Sequence, residues 1–131
     1  MPLGFEERYT DVLQNIEFAI VDTDRRLRGA LDYHVDAALE AAVAHYAAEQ
    51  QGRAPREVTL EGPRREMYEA VRNVCEWRLG RAQLPDGPGL PEPKTVEEMV
   101  MCLKRVRKSV KRWTKHAGRR GYLDFVSQYV G

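Results

Sequence analysis

Nine cations and no acid occupy residues 104–120 of this chain. Eight of the nine, Lys104, Arg105, Lys108, Lys111, Arg112, Lys115, Arg119 and Arg120, suit one kind of chemistry, the gripping of an anion such as the phosphate backbone of a nucleic acid. On a helix that turns about 100° per residue, Val96, Met99, Val100, Val106 and Val110 fall within about 60° of Leu103. Lys104, Arg105, Lys108, Lys111, Arg112 and Lys115 then form a stripe on the other side, and Arg107 snorkels from the edge of the core. Six aligned cations repel one another and need an offset. The helix dipole supplies one only over the last turn. The other two are acidic residues lined up opposite, or a bound polyanion.

The charge balance keeps both of these open. A formal net charge of +1 hides a division: setting the nine aside leaves twelve basic residues against twenty acidic, a net of −8. Residues 1–50 alone carry ten acids against Arg8, Arg25, Arg26 and Arg28, which makes them the natural internal counterweight.

The stripe ends in Gly118-Arg119-Arg120-Gly121, which resembles over four residues the GXXG phosphate-gripping loop of KH domains. A KH loop sits in a strand-rich unit and this chain predicts no such unit. The competing reading is a glycine stop for one helix and a glycine ahead of the next. A helix-turn-helix is also conceivable here. Its recognition helix, YLDFVSQYV, offers only Ser127 and Gln128 as uncharged polar readers beside Asp124, so contacts to a nucleic acid are expected to be backbone-directed.

Other chemistry finds little support. His34, His45 and His116 have no ligand spacing: HExxH, Glu-x-x-His and CxxC are all missing, so neither a metal nor a cofactor is expected. His45 and Glu49 stand one helical turn apart and read as a surface pair. Cys75 and Cys102 lie on or beside apolar helix faces and read as buried thiols of a reducing compartment. With no P-loop, GxGxxG or GxSxG, the chain reads as non-enzymatic.

These residues must be carried by helices. Phe5, Tyr9, Val12, Leu13, Ile16, Ile20 and Leu27 share one face of a helix over about 5–28. Asp32 reads as the N-cap of a second, over 32–51, forming an antiparallel hairpin with the first. Pro63 opens a third over 63–79, and Gly80 stops it. Residues 81–94 hold four Pro and two Gly and must be a loop. Thr95-Val96-Glu97-Glu98 is a capping box opening a fourth helix to 117, and Tyr122, Phe125, Val126 and Tyr129 mark a short fifth over 120–130. The expected fold is all-α, a compact four-helix bundle with a short C-terminal helix in a single domain.

One more surface stands out. Phe18 and Val21 lie behind the main stripe of the first helix, and Ala37, Ala41, Ala44 and Ala48 line the back of the second. Together they suggest a self-association face, hence a homodimer or another protein partner, with nucleic acid as the alternative. MPLGFEERYT is unlike a signal peptide and no run is apolar enough to span a membrane, so a cytoplasmic, membrane-free location is expected.

Overall fold

The computed structural model describes residues 3–84, 89 and 91–130. Among them there are five helices and no strand: α1 Phe5–Leu27, α2 Asp32–Gln50, α3 Pro63–Arg78, α4 Val96–Ala117 and α5 Gly121–Val130. Two of them, α3 and α4, open on local signals. Pro63 takes the first turn of α3, where its missing N–H is not needed. At α4 the capping box forms: the Glu98 N–H donates to Thr95 Oγ1 at 3.1 Å, and the Thr95 N–H to Glu98 Oε1 at 3.0 Å. Residues 85–88 and 90 of the 81–94 loop lie outside the described residues; the rest of it carries no helix or strand.

The core gathers one stripe from every helix, including Ile16, Ile20, Leu39, Tyr46, Met67, Met99, Leu103 and Tyr122. Around it α1 packs on α3, α3 on α2 and α2 on α4, while α5 closes the remaining side between α4 and α1. Although only residues 28–31 separate α1 from α2, the two do not pack along each other, so the expected hairpin is not a unit of the fold. Because α1 is held between α3 on one side and α4 with α5 on the other, its buried arc is wider than a single stripe. Val21, expected on the back of the helix, is therefore fully buried.

Asp32 also departs from its expected role. The N-cap of α2 is Leu31, whose N–H donates to His34 Nδ1 at 3.0 Å. Asp32 is buried, and its carboxylate serves the other end of the chain. It accepts from Thr114 Oγ1 at 3.1 Å and from the N–H groups of Tyr122 and Leu123, each at 3.2 Å, so it caps α5 from outside. Its own N–H donates to the Arg119 carbonyl at 2.9 Å. The turn that follows the basic stripe is thus clamped onto the start of α2.

Candidate polyanion-binding face

Burial of Met99, Val100, Leu103, Val106 and Val110 fixes the roll of α4 and turns the stripe outward. The acidic counterweight then takes three of the nine cations. Arg105 pairs with Glu6 near the start of α1, its Nε donating at 2.9 Å. Arg107 reaches Asp36 at 2.8 Å and Glu40 at 3.2 Å on α2. Arg120 meets Asp24 at 3.0 Å and also donates to the Ala30 carbonyl.

Arg105 and Arg120 therefore leave the predicted anion-binding set. Lys104, Lys108, Lys111, Arg112, Lys115 and Arg119 remain, all exposed, and among the described residues none has a carboxylate within ion-pair reach. From Lys104 to Lys115 they span about 16 Å of helix axis.

The GXXG turn is shaped by packing. Gly118 takes φ 82°, a conformation that favours glycine, and ends α4. Gly121 sits where α5 crosses the end of α4: a Cβ there would collide with the Trp113 carbonyl oxygen and lie 2.8 Å from Ala117 Cβ. Both glycines are explained without a ligand, and of the two arginines between them Arg120 points inward. The flank of α4 that carries Trp113 is covered by α5, Trp113 stacking on Phe125 with ring centroids 4.0 Å apart.

The candidate self-association residues do not meet on one surface. Phe18 is 57% exposed and lies in a groove of about 630 Å³ between α1 and α3, over Ala19, Ala70, Val74 and Trp77. Ala37, Ala41, Ala44 and Ala48 line a different groove, between α2 and the returning residues 53–60, whose Val58 and Leu60 pack onto the core. Within that row only Ala44 is exposed, and Ala48 is buried. A side chain that lies behind one helix in a wheel projection is covered here by chain from elsewhere.

Neither thiol is poised for chemistry: burial pushes Cys102 up to about 12 and Cys75 higher still, which keeps both protonated at neutral pH. His45 does not get Glu49 to itself, because Arg81 forms an ion pair with that carboxylate. Among the described residues no three of His, Cys, Asp and Glu converge to hold a metal ion, and no helix is long and apolar enough to cross a membrane. Comparison with family models, curated proteins and solved structures returns no match.

Proposed function

We propose that this chain is a non-enzymatic polyanion-binding module that holds a nucleic-acid backbone on the outer face of α4. The observation that carries the reading is the set of six exposed cations, Lys104, Lys108, Lys111, Arg112, Lys115 and Arg119, which among the described residues have no acidic partner once Arg105, Arg107 and Arg120 are neutralised. Rigid cations at helical spacing read charge rather than sequence, so little preference among sequences is expected. Fluorescence anisotropy with single- and double-stranded oligonucleotides over a salt series tests it. For duplex DNA, log affinity should fall against log salt with a slope of about −0.9 per phosphate contact. Replacing Lys108, Lys111 and Arg112 together by Gln should flatten that slope by up to about 2.7. Absence of binding at low salt, or wild-type affinity in the triple variant, would refute the reading.

A second reading, self-association, contracts to the α1/α3 groove, where the exposed Phe18 favours burial by a second copy. Phe18→Glu should then turn a dimer into a monomer in sedimentation velocity. Equal sedimentation of both proteins would remove it.

A further inference from the structure

A third groove, of about 370 Å³, opens between α1, α4 and α5, and it is chemically unlike the basic face. Glu17 lies in its lining although only 9% of that residue is exposed. Its Oε2 accepts the Tyr122 hydroxyl at 3.2 Å. Its neighbours are the hydroxyls of Tyr129 and Tyr122, and among the described residues no Lys, Arg or His comes within ion-pair distance of it. A buried carboxyl normally has a positive partner or gives up its charge.

The surroundings fit such a partner. Phe125 and Tyr129, one helical turn apart on α5, both line the groove and meet edge to face, with ring centroids 5.4 Å apart and planes at 70°. One face of Phe125 is taken by its stack on Trp113, and an aromatic corner of this kind attracts organic cations through the negative ring faces that stay open. Leu13 and Val106 add apolar wall for an alkyl chain. At the rim, Arg105 is held by Glu6, so it is not available to neutralise the carboxyl. The groove is therefore acidic within and balanced outside, at the small end of the range of ligand sites.

We propose that this groove binds an alkylammonium group, with Glu17 supplying the countercharge and Phe125 and Tyr129 the aromatic contact. The ammonium belongs either to a free small molecule or to a methylated lysine side chain. The assignment does not rest on the polyanion reading, since it uses the opposite charge and a different face. Sequence inspection places Glu17 only among the acids of residues 1–50, because Phe125 and Tyr129 come from the far end of the chain and meet it only through the packing of α5 on α1.

The test is a titration followed by the ring-proton NMR signals of Phe125 and Tyr129. The probes are choline, its neutral carbon isostere dimethylbutanol, and a short peptide containing trimethyllysine. Saturable shifts are expected with choline, at an affinity about tenfold or more above that of the isostere. That preference should disappear in Glu17→Gln, and choline affinity should also fall in Tyr129→Leu, a substitution at a 48% exposed residue. Tighter binding of the peptide than of choline would identify a protein side chain as the source, and the reverse a free ligand. Equal affinity for choline and its isostere, no saturable shift, or unchanged choline binding in Glu17→Gln would overturn the proposal. Should Glu17→Gln not fold, Tyr129→Leu decides alone, and wild-type choline affinity there overturns it.

Discussion

Arg119 and Arg120 are neighbours of the same type with opposite duties. Arg119 is exposed and has no ion-pair partner among the described residues, whereas Arg120 turns inward to Asp24, whose side chain is 7% exposed. Arg119→Gln should weaken oligonucleotide binding by roughly one phosphate contact and leave the denaturation midpoint unchanged. Arg120→Gln should lower stability by about 1–2 kcal/mol, a figure discounted because the guanidinium is 37% exposed, with Asp24 left poorly compensated. Urea denaturation of the two variants separates these outcomes. The flanking glycines make a second contrast. Gly121→Ala must push the Trp113 backbone away and should cost about 2 kcal/mol or more. Gly118→Ala meets no neighbour, so its cost should come from the backbone alone, about 1–3 kcal/mol for holding alanine at φ 82° and ψ −168°, a region essentially confined to glycine.

At the scale of elements, α5 is held by groups that arrive from the opposite end of the chain. Asp32 caps it, and Glu17 takes the Tyr122 hydroxyl. Asp32→Ala should therefore loosen α5 by about 1–2 kcal/mol. The check is faster hydrogen exchange at Tyr122 and Leu123 together with a change in Trp113 fluorescence as its stack on Phe125 is lost. Burial raises the carboxyl of Glu17 above its ordinary value of 4.5. Within the window between that value and the raised one, the folded state holds more proton than the unfolded state. The contribution of Glu17 is thus full below the window and is lost as pH rises through it. Glu98 and Glu49 act in the opposite sense, the first lowered chiefly by the Thr95 N–H and the second by Arg81. A difference measurement isolates the effect: the stability of the wild type minus that of Glu17→Gln should decline as pH rises from about 4.5, and a flat difference would contradict the assignment. Where elements begin was readable in the sequence because the signals are local, as with Pro63 and with Thr95 and Glu98. What Asp32 and Glu17 do was not, since their partners lie 82 to 105 residues away.

For the molecule as a whole, the order of the helices decides which charges survive. Placing α4 beside α2 and near the start of α1 brings Asp36, Glu40 and Glu6 to the edges of the basic stripe and leaves its centre untouched. The periodicity of α4 revealed the stripe, and composition revealed the acidic counterweight. Which cations the counterweight reaches depends on packing between helices, the same reason that Val21 was misplaced. The arrangement has a thermodynamic consequence. The central cations repel one another in the free protein, by roughly 0.2–0.5 kcal/mol for each pair one turn apart. Replacing Lys108, Lys111 and Arg112 by Gln should therefore raise stability at low salt while weakening oligonucleotide binding. The gain should shrink as salt rises, because exposed charges are screened over about 8 Å at physiological ionic strength. Arg107→Gln reverses the pattern, lowering stability because Asp36 and Glu40 lose their partner, with little effect on binding. Thermal melts of both variants at low and high salt, run beside the anisotropy titrations, would show whether weakened binding comes from the lost charges or from unfolding. A triple variant less stable than wild type at low salt would mean that these cations have acidic partners after all, and that the outer face of α4 is not free to hold a polyanion.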